Sequence, residues 1–281
     1  MNIKLLILAL LCGSFALAQE KFTLTNLDDF MDQAGNWEIV GYVIADPDIA
    51  VHTHQDEAQA NLNKNQKRLQ KKQLKQRNPI TVTPGTGVLY NNYSFTKKDN
   101  LLTQWEHGDI KLEMEILIPK ASNSGIYLQG RYELQLKDSY GVTNPNSSDF
   151  GGIHRNWETA PSKAFMGIAP NSSPYKAPGE WQTIKIHFQA PRFNDIGEKI
   201  ANAKFVAVEL NGVLIHSNVE VPLPTGGPIS SDESATGPLM IQGDHGPMAF
   251  KNISYEFLEM NNLVEVQEIA NNPNSKQDPR Y

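Results

Sequence analysis

The sequence predicts an all-β protein, a sandwich of two antiparallel sheets with one helical insertion. Three observations predict it. Apolar and polar residues alternate along several runs, the period of a strand with one buried face. Gly, Pro and Asn punctuate those runs, and a helical period is almost absent. Asn211-Gly212, a strong signal for a tight hairpin turn, sits between two such runs.

Taken from the N-terminus, Lys4, the apolar run 5–11 and Ala16-Leu17-Ala18 have the form of a secretory signal peptide over residues 1–18. The run is too short to stay in a bilayer about 30 Å thick. Cys12 lies inside it, preceded by Leu11 rather than by the small residue that lipid attachment requires, so lipid anchoring is the weaker reading. Cleavage after Ala18 leaves 263 residues without a thiol. Disulfides, thiolate metal sites and cysteine nucleophiles are thereby excluded from an expected periplasmic or extracellular product.

The main domain is expected over 19–260. A strand is expected at 37–44, and the segment 54–78 breaks the β pattern. There Lys64, Lys67, Arg68, Lys71, Lys72, Lys75 and Arg77 outnumber Asp56 and Glu57, and Asn78-Pro79 ends the run. Acids first, bases last and a proline stop suit an exposed basic helix. From Ile110, the residues Leu112, Met114, Ile116 and Ile118 alternate with Lys111, Glu113 and Glu115. A second run over 126–136 sets Leu128, Tyr132, Leu134 and Leu136 against Tyr127, Gln129, Arg131, Glu133 and Gln135. With turn-rich 119–124 between them, the two runs are expected to form a hairpin. Further strands are expected at 181–188, 203–210, 213–221, 239–242 and 249–257. The tail 261–281 is polar and expected to be weakly ordered.

The formal charge is −6, and 40% of the 281 residues are hydrophobic, which suits a domain with a substantial core. No global positive field exists to gather nucleic acid, and past the leader no apolar run reaches the length of a membrane helix. The H-E-x-x-H, Walker, G-x-G-x-x-G and G-x-S-x-G patterns are missing. Glu113 and Glu115 lack the further acid of a laminarinase-like pair.

Three groups could carry chemistry. The polar row Gln129, Arg131, Glu133, Gln135 could line a sugar groove or be an ordinary solvated sheet face. His245, between Gly243-Asp244 and Gly246 after an apolar run, could transfer protons from a sharply turning loop, or merely sit at the surface. His52 and His54 could share a metal, though no third ligand is near in sequence.

The stretch NSGIYLQGRYELQLKDSYG from Asn123 to Gly141 resembles the signature of the 3-keto-disaccharide hydrolase family. So do Pro178-Gly179-Glu180-Trp181, Ala190-Pro191-Arg192-Phe193, Asn211-Gly212-Val213, Asp244-His245-Gly246 and Phe250-Lys251-Asn252-Ile253. The resemblance implies a concanavalin-A-like jelly roll and a secreted enzyme that cleaves 3-keto-glycosides. A ketone at C3 acidifies the C2 hydrogen, so a base can remove it, the C1 substituent can leave, and water can add afterwards. It assigns His245 to proton transfer, Glu133 as the partner carboxylate and Arg131 as a donor to the carbonyl. Gln129, Gln135, Glu115, Asn123, Asp138 and Gln242 are expected to bind or orient the sugar, with Trp157 or Trp181 stacking on it. The sequence departs from the family in having Gln129 and Leu117 where arginines are frequent, in the 54–78 insertion, and in a single glycine before Asp244. No cofactor is required, and a divalent ion at the carbonyl is left open. A lectin-like binding module and an ordinary glycoside hydrolase are the alternatives; the oligomeric state is not legible.

Overall fold

The computed structural model describes residues 19–31, 35–55, 63–65, 68, 79–161 and 163–259. The expected leader 1–18, most of the 54–78 insertion and the tail 261–281 lie outside the described residues. The strands are β1 (Glu20–Lys21), β2 (Trp37–Ala45), β3 (Ile80–Asn91), β4 (Leu101–His107), β5 (Ile110–Leu117), β6 (Asn123–Leu128) and β7 (Tyr132–Lys137). They continue with β8 (Trp181–Gln189), β9 (Arg192–Phe193), β10 (Lys199–Ala201), β11 (Ala203–Leu210), β12 (Val213–Val221), β13 (Gly237–Ile241) and β14 (Met248–Phe257). One sheet has the order β12-β11-β8-β5-β14-β3-β2 with β1 also on β14, and a four-stranded sheet has the order β4-β13-β6-β7. Every pairing between them is antiparallel, the jelly-roll sandwich that the sequence predicts. Among the described residues no helix is long and apolar enough to cross a membrane.

Alternation in β5 does what its period implies. Ile110, Leu112, Met114 and Ile116 are buried in the core, where filling one such position contributes about 1.5–3 kcal/mol. Lys111, Glu113 and Glu115 face outward and pair across the sheet with Glu256, Lys185 and Lys251 at 3.2–3.3 Å. The opposite layer contributes Ile126, Leu128, Tyr132, Leu134 and Leu136. Tyr132 meets Phe188 of the large sheet with ring centroids 5.5 Å apart, which locks the two layers. Asn211 and Gly212 both take positive φ and join β11 to β12, as the dipeptide predicts.

Two expectations need correction. The runs around 110–118 and 126–136 do not form a hairpin, because β5 lies in the large sheet and β6 in the small one; residues 118–122 cross between layers. The second run is itself two strands. Gln129 (φ 54°) and Gly130 (φ 64°) turn the chain in the left-handed region, and Leu128 pairs with Tyr132. The tight turn is held by Arg131 N–H donating to the Leu128 carbonyl at 3.0 Å.

The face of β6 and β7 turned away from the core is covered as well. The connection after β7 returns along its edge: Gln135 N–H donates to Gly152 O at 2.8 Å, and His154 N–H to Glu133 O at 3.1 Å. The segment between β12 and β13 closes the other side, with Thr225 N–H on Arg131 O and Gly226 N–H on Arg155 O, both at 2.9 Å. Polar side chains on this face are therefore enclosed rather than solvated.

Candidate active site

A cavity of about 240 Å3 opens on that outer face. Asn123 and Tyr127 reach it from β6, and Glu133, Gln135 and Lys137 from β7, all of one parity. Gln242 and His245 enter from the turn after β13, Ser148, His154 and Trp157 from the long connection after β7, and His54 and Gln55 from the start of the insertion.

The turn that carries His245 is fixed by buried amides. Asn91 donates to the carbonyls of Gly243 and Gly246 at 3.0 and 2.9 Å, and Asn36 donates to the Asn91 side-chain oxygen at 2.9 Å. Gly243 is needed for close approach: a Cβ there would collide with the Asp99 carbonyl. Nδ1 of His245 shares a short hydrogen bond with the Asp244 carboxylate. With Nδ1–H donating to that acceptor, the ring's lone pair lies on Nε2. The His54 ring lies against it with centroids 3.9 Å apart, and the His54 N–H donates to His245 O at 3.3 Å.

Glu133 is 2% exposed. Burial pushes its carboxyl up from 4.5 to about 8; the Tyr127 hydroxyl opposes the shift and the Asp244 charge adds to it. Tyr127 also donates to the Gly226 carbonyl at 2.9 Å, which holds its hydroxyl beside this carboxyl. Room for this carboxyl comes from Gly125, where a Cβ would strike Glu133 Oε1. Burial lowers the His154 pKa, and its Nδ1 faces the Gln135 amide nitrogen at 3.4 Å. The side-chain oxygens of Asn123 and Gln242 are buried and without a partner. Such orphans on a cavity wall are placed to accept from a polyhydroxylated ligand. Trp157, 65% exposed, stands at the rim.

Six of the residues expected to act on or bind the sugar, His245, Glu133, Gln135, Asn123, Gln242 and Trp157, thus meet in one cavity. Arg131 does not line it; its guanidinium donates to Asp232 O at 2.7 Å and Gln129 O at 2.9 Å. Gln129 is spent in the turn, donating its N–H to His107 Nε2 at 2.9 Å and its amide to Ala235 O at 2.8 Å. Both fell on the wrong reading of 126–136 as one strand. Glu115 belongs to the outer face of the large sheet, bonded to Lys251 and Asn252. Asp138 accepts from Ala121 N–H at 2.8 Å and shapes a turn. Trp181 lies under Lys251, whose ammonium is 4.2 Å from the ring centroid. Tyr127, Lys137, His154 and Asp244 were missed. Tyr127 and Lys137 share the parity of Glu133, a signal available in the sequence, whereas His154 has none. Among the described residues no group of three His, Cys, Asp or Glu is arranged to hold a metal ion.

The chain matches no curated protein. Among solved structures it is similar to a "putative glycosyl hydrolase" from Parabacteroides distasonis, 20% identical, over 86% of this chain and 91% of that one, with a TM-score of 0.51. A second structure described in the same words from that organism is 19% identical over 63% and 89%, with a TM-score of 0.43. The first of these likenesses bears on the fold alone. Residues 52–256 match the 3-keto-alpha-glucoside-1,2-lyase-like domain, so the chain belongs to that family, and its role is carbohydrate-active.

Proposed function

We propose that the protein cleaves the glycosidic bond of 3-keto-glycosides by elimination followed by hydration, and that it does so as an exported enzyme. The observation that carries this reading is the pairing, across one small cavity, of an aspartate-supported imidazole with a buried carboxyl held in its acid form. His245 Nε2 takes the C2 proton of the 3-keto ring. The electron pair moves into the C2–C1 bond as the C1–O bond breaks, and Glu133 protonates the departing oxygen. Water then adds at C1 while the proton returns to C2, so the net change is hydrolysis. Lys137, the one Lys or Arg among the described lining residues, takes the place foreseen for Arg131 beside the developing enolate oxygen. The orphan oxygens of Asn123 and Gln242 accept from ring hydroxyls.

A glycosidase acting on unoxidised sugar by two carboxylates is less well supported. Glu133 is the one acid among the described lining residues, and Asp244 is engaged with His245. The test is to incubate the protein with methyl α-glucoside and its 3-keto form, with and without chelator. Turnover of the keto form alone, abolished by His245→Ala, is expected. Cleavage of the unoxidised glycoside, or sugar binding without any product, refutes the proposal.

A further inference from the structure

The second histidine of the pair His52 and His54 has no part in the proton transfers assigned above, yet it touches the residue that begins them. His54 is the first residue of the 54–78 insertion, and the chain that delivers it is firmly placed. Val51 is buried and donates its N–H to Lys120 O at 2.9 Å, on the crossing between β5 and β6. Thr53 is also buried, and its hydroxyl accepts from Gln55 N–H at 3.3 Å, a local bond that turns the backbone at His54. His54 and His245 both line the cavity.

His54 meets His245 in two ways. Its main-chain nitrogen and its ring Nδ1 each lie 3.3 Å from the His245 carbonyl oxygen. A carbonyl only accepts, so Nδ1 of His54 carries the ring proton. The ring itself packs on the His245 ring, with centroids 3.9 Å apart and planes inclined by 50°. The two donors duplicate one another, since any residue but proline at this position keeps its main-chain N–H. The ring contact comes from the side chain alone. What it adds follows from how the rest of His245 is held. Asn91 fixes the carbonyls of Gly243 and Gly246, on either side of the residue, and Asp244 holds Nδ1 of the imidazole. A single hydrogen bond at one ring nitrogen acts as a pivot, about which the ring torsion is soft and Nε2 can swing. The His245 side chain is 26% exposed, so the protein does not enclose it on every side. Pressed against one face, the His54 ring narrows that swing. Proton transfer needs the base within hydrogen-bond reach of the proton it takes, and a misplacement of about 1 Å costs about 10²-fold.

We infer that His54 is a positioning residue whose ring, set as a flat stop against the His245 imidazole, holds Nε2 in line with the proton to be removed. It acts through His245 rather than on the substrate. The inference rests on the proposed proton transfer by His245. It gives His54 a place beside the base instead of in a metal site, for which no further ligand is assembled among the described residues.

The experiment compares the wild type with His54→Ala, which removes the ring, and His54→Phe, which keeps a ring without its proton. Rates on methyl 3-keto-α-glucoside are read well below the Tm of each protein, so that unfolding does not enter. His54→Ala is expected to lower kcat about tenfold or more and to leave KM within about twofold. His54→Phe is expected to restore kcat to within about threefold of the wild type. An unchanged kcat in His54→Ala, a loss that falls on KM, or a His54→Phe no better than His54→Ala overturns the inference. A second readout needs no substrate. The Nδ1 proton shared by His245 and Asp244, assigned by its loss in Asp244→Asn, gives a low-field NMR line while the ring is held and exchanges away once it is loose. The line is expected in the wild type and His54→Phe, and broadened or lost in His54→Ala; no line in the wild type, or one equally sharp in all three, overturns the inference. If the wild type turns over no ketoside, the elimination reading fails, and the NMR line then judges by itself whether His54 holds the ring.

Discussion

Replacing Glu133 by Gln tests the electrostatics of the site without relying on any substrate. The side chain keeps its size and loses its charge. With a carboxyl at about 8 in the fold and 4.5 in the unfolded chain, the folded state holds a proton that the unfolded state releases above 4.5. Stability therefore falls as pH rises between those two values, and flattens once the folded carboxyl also ionises. Each pKa unit is about 1.4 kcal/mol, so holding the proton costs about 1 kcal/mol at pH 5, about 3 at pH 7 and about 4–5 at pH 9. Water entering the cavity reduces these figures. In Glu133→Gln the cost is absent at every pH, so the variant should gain on the wild type by about 2–4 kcal/mol between pH 5 and pH 9. Urea unfolding of both proteins at pH 5, 7 and 9 reads this directly from the shift in midpoint. A stability difference that is flat across the three pH values would mean an ordinary, ionised Glu133. The assignment of this residue as the acid would fall with it.

Three further outcomes follow from the same geometry. Asp244→Asn should lower kcat by about 10²–10⁴, since the imidazolium formed at His245 loses its counter-charge; it should also move the alkaline limb of the pH–rate profile to lower pH, because the Asp244 charge helps hold Glu133 protonated, and an unmoved limb contradicts that coupling. Gly125→Ala should cost activity about tenfold or more by displacing the Glu133 carboxyl, with a change in Tm small beside that loss; full activity would show that the carboxyl's position is immaterial. His107, whose ring accepts from Gln129 N–H and which burial pushes down to about 4, is neutral in the fold. Its contribution is complete above about 6.5 and is lost as pH falls towards 4, about 2.5 kcal/mol by pH 4.5; an NMR ring signal that titrates near 6.5 sinks this account.

How much of the molecule can be read from its sequence differs between strands and site. Strands with one wet face announce themselves: β5, β11 and β12 fall within a residue or so of the runs that period two marks out, and the Asn211-Gly212 turn is explicit. β3 is hidden because Pro84, Gly85 and Gly87 read as a turn. In the fold Gly41 and Gly85 instead let β2 and β3 approach so closely that a Cβ on Gly41 would meet the Pro84 carbonyl at 2.8 Å. The hairpin between β6 and β7 is hidden for another reason. Its turn begins with Gln129, a residue with no intrinsic preference for positive φ, which is held there by His107 and Ala235 from two other segments.

That concealed turn also explains which site residues were foreseen. Along 131–137, alternation correctly sends Glu133 and Gln135 to the face away from the core, and Tyr127 joins them from β6 because the register pairs it with Glu133. Extending the same row backwards through Arg131 and Gln129 fails, because the chain is already turning and their polar groups satisfy its carbonyls. Period two reports which face a side chain takes, not whether that face is wet. Both faces of β6 and β7 are buried, so the polar residues on the outer one must either pair within the protein or await a ligand. Arg131 does the first, and so do the two nitrogens of Gln129, whose side-chain oxygen stays bare but inside the turn, away from the cavity. Asn123 and Gln242 keep bare amide oxygens, and Glu133 keeps a proton that burial, aided by the Asp244 charge, makes worth holding. An enclosed polar face left incompletely paired, beside an imidazole aligned by its own carboxylate, is what separates a site of proton transfer from a sheet that merely faces water.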